Sequence, residues 1–186
     1  MLLCRPQLTR AIAHFASRDA MNIETFSDRT AESLYDHLGL ADVSDLYYLD
    51  YDKIKELPGF GEKKAENLRA AIERSKTRPL AAFIYALGIP GIGSKTGKDL
   101  AQRYGSIHAL AEATEEDLLT IEGVGPTLAR NIVEFFQDER VRRIIRRMEE
   151  AGVSPQYERT EVKQSAFTGK KVVLTGTLEK YTRKET

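Results

Sequence analysis

Apolar residues recur along the chain at helical spacing. Leu8, Ala11, Ile12 and Phe15 form an i, i+3, i+4, i+7 stripe, as do Leu80, Phe83, Ile84 and Leu87, and each predicts an amphipathic helix. Val141, Ile144, Ile145 and Met148 keep the same pattern among five arginines. The periodicity breaks in the same way three times, at Leu57-Pro58-Gly59-Phe60-Gly61, Ile89-Pro90-Gly91-Ile92-Gly93 and Ile121-Glu122-Gly123-Val124-Gly125, with first glycines 32 residues apart. Six residues after that glycine stands a small residue (Ala65, Gly97, Ala129), and nine after it an aliphatic one (Leu68, Leu100, Ile132). A generic turn needs neither the second glycine nor the small residue, so recurrence in register marks an internal repeat.

A weaker copy lies upstream, where Thr25-Phe26-Ser27 fills the glycine-apolar-glycine slot and Ala31 and Leu34 keep the later positions. The copies also pair at longer range. Gly39 and Gly105 each follow an aliphatic residue by five and read as helix C-caps, while Asp50 and Thr114 each precede a hairpin glycine by nine and read as N-caps. Asp117, three residues after Thr114, gives a variant of the capping box. Two modules of two hairpins result, spanning about residues 21–76 and 79–147. A polar stretch from Ser154, containing Pro155, predicts a loosely packed linker over 154–166, and Lys171-Val172-Val173-Leu174-Thr175 predicts one strand.

Composition narrows the chemistry. The 186 residues contain 28 Lys plus Arg and 28 Asp plus Glu, so an anionic partner must be held by placed donors rather than by a global positive field. Cys4, the one cysteine, can form neither an internal disulfide nor a zinc site unaided, which fits a reducing cytoplasm. No apolar run approaches the roughly 20 residues that span a bilayer, so no membrane partner is expected.

Glycine-apolar-glycine between two helices opens backbone angles closed to other residues and lets successive amides turn outward, while the next helix directs its free N–H groups to the same point. The expected result is an anion pocket. Its candidate residues are Gly59, Phe60, Gly61, Lys63 and Lys64 in one hairpin, Gly91, Ile92, Gly93, Ser94, Lys95 and Thr96 in the next, and Gly123, Val124, Gly125 and Thr127 in the last. The middle residue of each triplet is expected to plug between the helices, and Pro126 removes one donor from the last pocket. Contacts of this kind read phosphate and not base, so duplex DNA bound with little sequence preference is the expected partner. The run Arg140, Arg142, Arg143, Arg146 and Arg147 reads either as a solvated face or as a second phosphate-contacting surface. Tyr47, Tyr48, Tyr51 and Tyr85 are expected mostly in the core. His14, His37 and His108 show no ligand spacing, and no catalytic constellation is evident.

The hairpin series, preceded by Cys4-Arg5-Pro6-Gln7-Leu8 and by Arg10-Ala11-Ile12-Ala13-His14-Phe15, resembles the C-terminal half of bacterial NAD-dependent DNA ligases over essentially the whole chain. The resemblance implies an all-α body of tandem helix-hairpin-helix motifs in two pairs, over residues 8–153, with a short C-terminal strand. It further implies a zinc-finger remnant at residues 1–7, with Cys4 as its last ligand, and the start of a BRCT domain at residues 167–186, from Phe167-Thr168-Gly169-Lys170 to Gly176-Thr177-Leu178. On this likeness NAD, magnesium and zinc belong to the full-length enzyme, which seals nicks in replication and repair, and none is bound by this chain. The implied partners are duplex or nicked DNA and the remaining ligase domains, for a monomer in the bacterial cytoplasm, associated with the nucleoid. Two other readings fit the residues: a stand-alone helix-hairpin-helix or repair-nuclease accessory module, and a protein-interaction module.

Overall fold

A computed structural model describes residues 4–157. The strand expected at Lys171–Thr175, the likeness over 167–186 and most of the linker lie outside those residues. Among the described residues ten α-helices and one 3-10 helix follow one another: α1 (Arg5–Ala16), α2 (Asp28–Leu38), the 3-10 helix (Val43–Tyr47), α3 (Tyr51–Lys55), α4 (Glu62–Ser75), α5 (Leu80–Ala86), α6 (Ser94–Tyr104), α7 (Ile107–Ala111), α8 (Glu115–Leu119), α9 (Pro126–Gln137) and α10 (Glu139–Glu150). No helix among them is long and apolar enough to cross a membrane.

The predicted stripes fall on the core side of their helices. Leu8, Ile12 and Phe15 are buried on α1, and Leu80, Phe83 and Ile84 on α5. α1 starts at Arg5, with Pro6 in its first turn where a missing N–H costs nothing. The caps also form as their residues dictate. Gly39 and Gly105 end α2 and α6 in the left-handed region at φ 66° and 71°. Asp50 accepts from the amides of Asp52 and Lys53, and Thr114 from that of Asp117. One contiguous core runs from α1 to Val153 and joins both modules.

Long-range ties fix the modules against each other. His14 on α1 meets the Tyr85 carbonyl on α5 at 2.8 Å, with the two rings edge to face at 4.8 Å. Arg78, between the modules, donates to the Ala20 carbonyl at 3.0 Å. α10 folds back onto the 3-10 helix, where Arg147 donates to Asp45 and to Ser44 at 2.8 Å each and lies over the Tyr48 ring. Burial alone would raise the Asp45 carboxyl. The Ala41 amide and Arg147 outweigh it and hold the group below the usual aspartate range.

Two expectations change here. Ser154–Gln156 is not loosely packed: the Ser154 amide donates to Lys76, that of Gln156 to Arg78, and that of Leu80 to Gln156, in a short parallel pairing with the inter-module link. The backbone polarity that marks a linker is satisfied by another extended segment. Tyr48 also departs from the core group, standing 50% exposed, its hydroxyl donating to the Arg147 carbonyl. Tyr47 and Tyr51 do pack inward, and burial pushes each phenol up to about 12.

Candidate nucleic-acid interface

Each full hairpin is a four-residue turn leading into a helix. The amides of Phe60, Ile92 and Val124 donate to the carbonyls of Leu57, Ile89 and Ile121 at 2.9, 3.1 and 3.0 Å. The third turn residue is the first glycine, at φ +78° (Gly59), +89° (Gly91) and +85° (Gly123), the pattern of a type II turn. Pro58 and Pro90 occupy the second position, which favours their fixed φ; Glu122 takes it in the last hairpin. The middle residues plug as expected, Val124 buried and Phe60 and Ile92 half-buried against the core.

That geometry revises which donors are available. The amide of the middle residue closes the turn, so Phe60, Ile92 and Val124 contribute packing rather than N–H groups. The outward donors begin one residue later. Gly61, Gly93 and Gly125 are the N-caps of α4, α6 and α9, and their carbonyls accept the first helical bonds, from Ala65, Gly97 and Ala129. No side chain caps these ends, so the first helical amides have no acceptor among the described residues. In the last hairpin Pro126 leaves only Thr127 and Leu128 in that role.

The second glycines carry a further message. Their backbones are extended, as any residue allows, and nothing lies within 4 Å of a Cβ built at Gly61, Gly93 or Gly125. Neither turn geometry nor packing requires glycine there. What a side chain would obstruct is the space in front of the free amides.

Side chains frame the pockets unevenly. Lys64 bends back over its own turn, with Nζ 3.4 Å from the Gly59 carbonyl and 4.1 Å from the centre of the Phe60 ring, while Lys63 is exposed. Ser94 and Lys95 are exposed and Thr96 half-buried at the start of α6. Lys95 and Arg103 border a groove of about 480 Å³ whose other wall is Thr120, Ile121 and Glu122, so the last two hairpins stand side by side. Long-range props that no local pattern announces steady the Gly91 turn: Asn131 donates to the Pro90 carbonyl at 3.2 Å, and a Cβ on Gly91 would sit 3.1 Å from Leu128 Cδ1.

The upstream copy keeps the shape and loses the pocket. The Phe26 amide closes onto Ile23 at 3.3 Å, and Thr25 holds the left-handed position at φ +64° despite its β-branch. Ser27 caps α2 by accepting from the Thr30 amide, which occupies an N–H that stays open in the other copies. Because a branched residue in this region is strained by about 1–2 kcal/mol, Thr25→Gly is expected to stabilise the fold by about 1 kcal/mol, read as a higher urea midpoint. A lower midpoint would mean that the turn is not strained.

Cys4 is exposed at the N-cap of α1, and among the described residues no group of three or more His, Cys, Asp or Glu could hold a metal ion.

Comparison with known proteins agrees with this geometry. Residues 18–74 match a family described as a SAM-like helix-hairpin-helix tandem, and residues 82–145 match one described as a helix-hairpin-helix motif. The chain is 52% identical to a DNA ligase of Clostridium perfringens over 97% of its own length, and 48% identical to a DNA ligase of Alkaliphilus oremlandii over 99%. A protein of Clostridium acetobutylicum named DNA ligase 2 is 46% identical over 98%. The chain spans only 27% to 28% of the length of these relatives. The described residues therefore form an all-α tandem of helix-hairpin-helix units, and the chain is similar along nearly its whole length to a segment of bacterial DNA ligases.

Proposed function

We propose that this chain binds the sugar-phosphate backbone of duplex DNA, without sequence preference, as the DNA-gripping part of an NAD-dependent DNA ligase that seals nicks in replication and repair. The observation that carries the reading is the set of three glycine-capped helix starts with unclaimed amides and open space in front of them. A main-chain amide and a positive helix end suit a phosphate oxygen and are blind to base identity. Paired hairpins would take one strand each across a minor groove, with Thr25–Ser27 serving the fold and not the contact. Adenylation from NAD, with its magnesium, would fall to other domains of the enzyme, as would zinc held by a complete set of ligands. The segment would work as a monomer, in the bacterial cytoplasm at the nucleoid.

Titration of labelled intact and nicked duplexes of unrelated sequence tests this. Affinities should agree between sequences and fall steeply with salt, log K against log salt having a slope of about −0.9 per phosphate neutralised. Failure to bind duplex at low salt would leave a protein-interaction module as the better reading.

A further inference from the structure

The five arginines of α10 do not share one environment. Arg147 is tied to Asp45, and Arg140 to Asp138 at 2.8 Å. Arg142 donates to the carbonyls of Phe136 at 2.8 Å and Gln137 at 3.0 Å, closing the C-terminal end of α9. Arg143 and Arg146 are exposed, and neither makes an ion pair or hydrogen bond among the described residues. Three residues apart, they stand one turn from each other on the same helix face. Like charges at that spacing weaken a helix; Glu139 and Glu150 stand four residues from Arg143 and Arg146 on α10, but neither forms an ion pair with them among the described residues.

Their position ties them to the hairpin at Gly91. Arg143 and Arg146 line a concavity of about 350 Å³ with Glu139, Arg140 and Arg142. Arg143 also borders a second groove, of about 490 Å³, that passes Ile144, Val141 and Phe135 to reach Asn131 and Pro90. Pro90 belongs to the Gly91 turn, and Asn131 bonds its carbonyl, so this groove runs from the back of that turn to Arg143, which it shares with the concavity that holds Arg146. Of the acids on this groove, Asp138 is held by Arg140 and Asp42 lies 3.7 Å from Arg147. Glu134 is the remaining one.

We infer that Arg143 and Arg146 form an accessory phosphate-binding strip, which takes up backbone phosphates of the same duplex beyond those held by the Gly91 hairpin. The inference rests on the DNA-binding reading above. Guanidinium groups match phosphate oxygens in a two-pronged geometry, and the strip adds charge to an interface whose hairpins rely on neutral main-chain donors.

The test is fluorescence anisotropy of the 186-residue chain on a labelled nicked duplex across roughly 50–200 mM salt. R143Q/R146Q should bind on the order of 10-fold more weakly near the middle of that range, with the salt slope reduced by about 1.8, the share of two phosphates. R143K/R146K should keep the slope, since it keeps both charges, which a merely structural role would not produce. The inference is overturned if R143Q/R146Q retains the original affinity and slope while substitution of the second hairpin glycines abolishes binding. If both sets bind like the original chain, the hairpin reading fails and this one fails with it.

Discussion

Replacing Gly61, Gly93 and Gly125 together by serine should weaken duplex binding at least 100-fold while leaving the protein slightly more stable. The two effects have opposite sign because they draw on the same amides. A serine N-cap accepts from the third helical N–H, and this exchange from glycine is worth a few tenths of a kcal/mol per helix. Space permits it, since no atom lies within 4 Å of the Cβ position at any of the three sites. The chain already contains the product of such a change: Ser27 caps α2 in the first copy by accepting from Thr30. An amide so occupied is lost to a phosphate, and the new side chain stands where the anion would sit. A hydrogen bond to a charged group contributes about 1.5–3 kcal/mol, or roughly a factor of ten or more per hairpin. Anisotropy on duplex DNA and a urea melt on the same preparation would read both effects. Undiminished binding by the folded triple variant would remove the main-chain amides from the interface.

These second glycines, and not the first, give the clean test. Valine at Gly59, Gly91 or Gly123 would meet φ between +78° and +89°, so lost binding would be confounded with a distorted turn.

Much of this was legible in the sequence because a hairpin is a local object. Glycine spacing, the small residue six later and the caps at Gly39, Asp50, Gly105 and Thr114 act within a few residues, and each forms as its chemistry dictates. The sequence could not say which amides the turn keeps for itself. Phe60, Ile92 and Val124 read as outward donors until the bond to the residue three earlier is seen. Tyr48 looked like core because its neighbours Tyr47 and Tyr51 are; it is placed instead by Arg147, 99 residues away. Ser154–Gln156 carries linker chemistry yet pairs with Lys76–Leu80, a match no local pattern encodes. Likewise, five arginines in one helix read as a single patch, and only the partners of Arg140, Arg142 and Arg147 separate structural ties from available charge.

Gly97→Val should destabilise the fold by about 3 kcal/mol, the largest loss expected from any single hairpin-repeat position. The small residue six after the hairpin glycine is where the two helices of a hairpin approach each other. Alanine fills it at Ala65 and Ala129, both fully buried, so those helix pairs leave room for one methyl. α5 and α6 leave none: a Cβ at Gly97 would lie 2.9 Å from the Ala81 carbonyl oxygen and 3.7 Å from Tyr85. The obstacle is backbone within a helix, which cannot rotate aside as a flexible side chain would. α5 would have to move, and its buried Phe83 and Ile84 would move with it. Gly97→Ala sets a better helix former, worth about 1 kcal/mol, against the same clash, and should still come out destabilising. Thermal unfolding measures both, with about 2–4 °C per kcal/mol for a body of this size. Because this site lies behind the turn and not in front of it, Gly97→Ala should bind duplex with original affinity at temperatures where it stays folded. Stability equal to or above that of the original chain in Gly97→Ala would mean that α5 and α6 are less closely packed than the 2.9 Å approach implies.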